Sequence, residues 1–311
     1  YGGGYGDTAE TNVTNVNIAG STIANVYGGG NAAPTEAANT NITGGMVETL
    51  YGGGNSATVT NSANITVNTV DEVQHVKTVF AGNNQAAMNI QPTLNLQDGK
   101  IGTLYGGGNK GPMTIDCGLV YNLNDQDIEI ETVYGGCNSA DVTYGVHLTL
   151  TGGKYGTVYG GNNASGAMPS TVVTLAGATV GTTTIESDGT RRTTGGLYGG
   201  GNQAETGKTE IILESGKASN VYGGGNAATV TTSVTISAPD GGTAEVTNLF
   251  CGNNQADMEI LPKTEGLKSG KVWAFYGGCN AGAMTRSDGL TYTFNKPDMH
   301  YTCLLYTSDA A

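Results

Sequence analysis

Four carboxylates, Asp125, Asp127, Glu129 and Glu131, alternate along one short stretch of this 311-residue chain. A period of two places them on one side of an extended strand, with Ile128 and Ile130 on the other. Such a row has the composition of a Ca²⁺ site, with Asp125, Asp127 and Glu129 as ligands, or of the carboxylate pair of a glycosidase. It also has the composition of a solvated outer face, which is the favoured reading because acids seldom enter a core unpaired. A lyase-like site would set basic groups beside its acids, and Arg191, Arg192 and Arg286 are all distant in sequence. His75, His147 and His300 are widely separated, so neither a metal triad nor a His-activated nucleophile is expected. The chain is therefore read as having no catalytic residue, resident metal or cofactor.

A second chemistry, aromatic, recurs along the whole chain at Tyr1, Tyr27, Tyr51, Phe80, Tyr105, Tyr134, Tyr159, Tyr198, Tyr222, Phe250 and Tyr276. The intervals are 24 to 29 residues, with one of 39. The second residue after each aromatic is glycine. The fourth in every full copy is asparagine: Asn31, Asn55, Asn84, Asn109, Asn138, Asn163, Asn202, Asn226, Asn254 and Asn280. Glycine followed by asparagine suggests a sharp turn using positive φ. Stacked at strand spacing, about 4.8 Å, the asparagine amides would form a ladder. The apolar residues before the aromatics, such as Val26, Leu50 and Val79, must face the opposite side of a strand from them. That favours an outer or rim position for the aromatics, and makes Tyr51, Tyr105, Tyr134, Tyr159, Tyr198 and Tyr222 a candidate sugar-binding strip.

The segments between copies identify the elements that position these columns. Asn41-Ile42-Thr43 leads through Gly44-Gly45 to Met46-Val47-Glu48-Thr49-Leu50, and Val146 to Leu150 is likewise followed by Gly152-Gly153. Each period thus holds two or three short strands with period-two alternation, and helical spacing is nowhere sustained. The pattern predicts an all-β, parallel β-helix (β-solenoid) of about 10–11 coils, each strand pairing with its equivalent one coil away. A shift of 171 residues carries Tyr27 to Tyr198, Tyr51 to Tyr222 and Tyr105 to Tyr276, and aligns Leu119-Val120-Tyr121 with Leu290-Thr291-Tyr292. A six-coil unit was therefore duplicated in tandem. The long interval carries an insertion, residues 182–194, whose Asp188-Gly189 pair predicts a hairpin turn. This hairpin would lift Arg191 and Arg192 out of the wall as a candidate contact.

Discounting Cys303, four cysteines remain: Cys117, Cys137, Cys251 and Cys279. Cys251 and Cys279 align with Ala81 and Gly108, a packing use of a small side chain. Cys137 and Cys279 share a motif position five coils apart, about 24 Å at strand spacing and beyond disulfide reach. Their redox state is left open. The formal charge of −13 disfavours nucleic acid as a partner. No run of eighteen apolar residues exists, so no direct membrane insertion is expected.

The strand-turn-strand pattern closed by Val-Tyr-Gly-Gly-Gly-Asn-x-Ala resembles the extracellular parallel β-helix repeats of bacterial surface proteins and adhesins, over residues 1–298. The resemblance implies an exported rod, displayed outside the cell or on the bacterial surface, that contacts glycans or a host surface. A carbohydrate-active β-helix enzyme is the alternative. The end of the chain, residues 299–311, resembles translated sequencing-adapter read-through. Opening at Tyr1 inside a copy, the chain reads as a fragment of a longer array, whose cut edges would favour end-to-end self-association.

Overall fold

The computed structural model describes residues 1–70, 73–294 and 296–305. Among them there is no helix. Nineteen of the 21 strands join in one hydrogen-bonded stack, and the other two form a hairpin. The chain is a β-solenoid of about 11 turns whose strands pair in parallel from coil to coil. On one face Thr11–Ile18, Thr35–Ile42 and Val59–Asn68 lie rung on rung, with Ile18 beside Ile42 and Ile42 beside Val67. On a second face Thr22–Tyr27, Met46–Tyr51 and Gln74–Phe80 do the same. Alternation sends Ile42, Val67, Leu50 and Val79 inward, where all four are fully buried. One core cluster runs from Ile18 to Met299.

The turns between the two faces need glycine for its conformation: Gly45, Gly153 and Gly216 have φ of 79°, 80° and 93°. The glycines of the repeated motif do not. None of the invariant ones has positive φ, and among the described residues no non-glycine does either, so the chain bends at the motif without left-handed residues. The expectation of a left-handed turn at the motif is therefore corrected. What the motif requires is close approach of backbones. A Cβ added at Gly53 would lie 1.8 Å from Asn83 Oδ1, and one at Gly136 would lie 2.1 Å from Asn162 Oδ1.

Such tight coils bury peptide groups, and buried peptide groups require partners. The N–H after the invariant glycine finds one in two ways. Gly30 and Gly201 donate to the hydroxyls of Thr35 and Thr206 in their own coil, at 3.0 and 3.1 Å. Gly54, Cys137 and Gly225 donate instead to the side-chain oxygens of Asn83, Asn162 and Asn253 in the next coil, at 2.7 to 2.9 Å. The carbonyl of the first motif glycine is met from across the interior. Thr14, Thr171 and Thr209 donate to Gly28, Gly199 and Gly223 at 2.6 to 2.7 Å. Tyr121 and Tyr292 serve Gly106 and Gly277. A shift of 171 relates both partners of that last pair, so the duplicated unit carries its internal fastenings with it.

One more strand follows residue 298. Met299–Leu305 pairs in parallel with Gly270–Tyr276, setting Tyr301 beside Val272 and Leu305 beside Tyr276. The described part of the tail set aside on sequence grounds is thus a strand of the stack. Residues 306–311 lie outside the described residues.

Candidate functional site on the charged face

The motif column is closed to ligands. From Tyr1 to Tyr276 each ring stacks on the next, with centroids 4.3 to 5.0 Å apart and planes within 23° of parallel. The row forms its own cluster outside the main core, consistent with the opposite facing of the Val/Leu column. Yet Tyr51, Tyr105, Tyr134, Tyr159, Tyr198 and Tyr222 are only 6 to 9% exposed. A sugar would need a ring face, and every internal face is covered by a neighbouring ring. The expectation of an open aromatic strip is corrected on that ground. Burial accordingly raises the phenol pKa of all six.

Beside the rings, the asparagines form an unbroken ladder. Asn55 Nδ2 donates to Asn31 Oδ1 at 2.8 Å, and the pattern continues to Asn280 on Asn254 with every bond between 2.7 and 2.9 Å. Asn163 and Asn254 also donate to the hydroxyls of Tyr105 and Tyr198. The cysteines play no part in this row. Cys137, Cys251 and Cys279 are buried free thiols and Cys117 is an exposed one; burial pushes Cys137 up to about 12 and Cys279 to about 11.

Further up the second face, a different column faces solvent. Coil-to-coil register places Lys100, Glu129, Lys154, Thr179, Lys217, Glu245, Lys271 and His300 at one position of successive strands. Glu129 lies between two lysines, 2.8 Å from Lys154 and 3.4 Å from Lys100. The hydrogen bond from Lys154, aided by both ammonium charges, holds its carboxyl below the usual range. Asp125 turns back on its own strand, its Oδ1 accepting from the Asp127 N–H at 3.0 Å. The acidic stretch is thus the outer face of the strand Asp127–Tyr134, with Ile128 and Ile130 inward. Asp125 and Glu129 are engaged separately, and among the described residues no group of three or more potential ligands converges.

The insertion folds as an antiparallel hairpin, Thr182–Ile185 against Arg191–Thr194, with Gly189 at φ 86° in its turn. It does not project. The hairpin lies along the wall, where Ser219 donates to the Thr194 carbonyl at 3.0 Å, and Thr183 and Thr247 share a hydroxyl bond at 2.9 Å. Arg191 rests 3.6 Å from the ring centre of Trp273, with Lys271 4.2 Å from the same ring. Arg192 points the other way and pairs with Glu186 at 3.0 Å. The expectation of two free arginines is corrected, because alternation along Arg191–Thr194 gives each a different neighbour.

Two hollows result. One, of about 440 Å³, lies between hairpin and wall and is lined by Ile185, Arg191, Lys217, Glu245, Thr247 and Trp273 among others. The second, of about 430 Å³, holds Lys100, Glu129 and Lys154, and meets the first at Thr179, Gly181 and Thr182. Sequence reasoning missed Lys100, Lys154, Lys217, Lys271 and Trp273. The signal was available, since counting back from each aromatic puts Glu129 and Lys154 at the same offset. No family model, curated protein or solved structure matches this chain.

Proposed function

We propose that this chain is a non-enzymatic repeat protein of the bacterial surface, a stalk that presents a glycan-contacting face to its surroundings. One observation carries the reading. The residues that recur in every coil are spent on one another, in the aromatic row and the asparagine ladder, whereas the residues that vary from coil to coil lie on the charged outer column. That division suits a scaffold whose repeats supply length and whose variable positions supply contact. The extracellular location rests on the resemblance of the repeats. The acidic stretch argues for contact over catalysis, because Glu129 is held ionised by lysines on both sides and a general acid must keep its proton.

The intact chain, incubated with a panel of polysaccharides and in parallel displayed to a glycan array, tests this. Retention on glycans without the appearance of new reducing ends is the expected result. New reducing ends that disappear in Glu129→Gln would replace the proposal with a hydrolytic one.

A further inference from the structure

We infer that the trough between the hairpin and the solenoid wall is a binding site for an acidic sugar, a uronic acid residue within a glycan chain, gripped by Arg191 and Lys271, which Trp273 holds together. The inference rests on the glycan-contacting reading above and specifies its ligand class and location.

The argument begins with charge. The chain carries 26 acidic and 13 basic residues, so basic groups gathered at one place stand out in it. Among the described residues neither Arg191 nor Lys271 forms a salt bridge, while Lys217 has only Glu245, at 3.9 Å. These three cations come from three separate coils: Arg191 and Lys217 line the hollow, and Lys271 stands over Trp273, which lines it too. A carboxylate entering there gains charge-assisted hydrogen bonds from Arg191 and Lys271 without displacing an ion pair of either.

Apolar chemistry at the same place selects a sugar over a simple anion. Trp273, the only tryptophan in the chain, is half-buried at the end of the trough, and Ile185 lines it while 61% exposed. The Trp273 ring is taken up by Arg191 and Lys271 and holds the two cations together, while the isoleucine side chain offers apolar surface to the C–H face of a pyranose ring. Glu245 and the hydroxyls of Thr182 and Thr183 supply partners for ring hydroxyls. The volume of about 440 Å³ is that of a small-molecule site. The adjoining hollow, with Lys100, Glu129 and Lys154, continues along the axis, so a linear chain of such sugars has room to run on from the first.

The hairpin is what builds the site. Without residues 182–194 the wall would present Lys217, Glu245 and Trp273 on an open sheet, and Arg191 would be absent. Its fastening to Ser219 and Thr247 fixes the trough before any ligand arrives, which lowers the entropic cost of binding.

Trp273 makes the test direct, since all tryptophan fluorescence reports from the trough. The intact chain is titrated with a hexamer of galacturonic acid and, separately, with the same hexamer reduced to neutral galactose. A saturable change in emission with the acidic hexamer alone is expected. The double variant Arg191→Gln, Lys271→Gln should weaken it by about tenfold or more, with circular dichroism unchanged. Should that variant fail to fold, the wild-type protein still decides: raising salt from low to molar concentration should weaken binding by about tenfold or more, because the contact is ionic. No emission change, an equal response to the neutral hexamer, or insensitivity to both salt and the variant would overturn the site. Array binding that survives in the double variant would reject the trough while leaving the glycan-contacting reading intact. Silence on the array as well would reject both.

Discussion

The aromatic and asparagine row and the charged column belong to the same strands and are separated by only a few residues, yet they are built on opposite logics. In the row, one residue type repeats and its partners are copies of itself: rings on rings, amides on amides. In the column, Lys, Glu and Thr follow one another without strict order, and their partners are a charge of a neighbouring coil or the Trp273 ring. Repetition within a chain therefore marks where the molecule contacts itself. Departure from repetition marks where it can contact something else.

Substitutions can break that comparison at graded depths. The largest effect is expected from Tyr134→Ala, which opens a gap between Tyr105 and Tyr159 and should cost about 3–5 kcal/mol in denaturant unfolding. Tyr134→Phe should cost under about 1 kcal/mol, since Phe80 and Phe250 already stack in the row. The same row predicts alkaline instability. Its phenols titrate above their ordinary value, so the neutral form is favoured on folding. Their contribution is complete below about pH 10 and is lost as pH rises through the folded values; ultraviolet absorbance should show tyrosine ionisation coinciding with loss of β circular dichroism.

Gly53→Ala comes next, at about 3 kcal/mol, because its Cβ would displace the Asn83 amide that serves the Gly54 N–H. Gly20→Ala, where nothing lies within 4 Å of the new carbon, should change stability by no more than about 0.5 kcal/mol. Asn109→Ala removes bonds to Asn84 and from Asn138 and should cost about 1–3 kcal/mol. Asn109→Asp should be worse at neutral pH and recover below about pH 4, where the acid regains a donor. Glu129→Gln on the charged column should also be small, under about 1 kcal/mol for a solvent-accessible pair. What remains of that contribution should fade as pH falls below the ordinary carboxylate range, since Glu129 titrates lower when folded. A Glu129→Gln cost matching that of Tyr134→Ala would dissolve the distinction between the two regions.

Much of this was legible in the sequence. The period named the solenoid, the invariant asparagines predicted a ladder, and Asp188-Gly189 predicted a hairpin. The 171-residue shift that aligns Tyr121 with Tyr292 also relates their hydrogen bonds to Gly106 and Gly277, which the structure adds. What failed did so for physical reasons. Glycine has two uses, conformational freedom and absence of bulk, and composition alone does not say which; Gly53 uses the second. A tyrosine column on the outside of a strand looks exposed until one sees that strand spacing is also ring-stacking distance, so the column covers itself. The meeting of Arg191 with Trp273 depends on how far the hairpin reaches down the wall, which no local pattern records.

The asparagine ladder has a further consequence, an electrical one. Every bond runs in the same sense, the nitrogen of a later coil donating to the oxygen of an earlier one. The side-chain dipoles are therefore aligned head to tail along the axis, as peptide dipoles are in a helix, and each polarises the next. Nitrogen ends face the first coils and oxygen ends face the last. Turning over a single amide would set oxygen against oxygen on one side and nitrogen against nitrogen on the other, so the orientation of each is enforced by all. The rod has a direction written in its side chains as well as in its backbone, and its two tips differ in the sign of the partial charge they present.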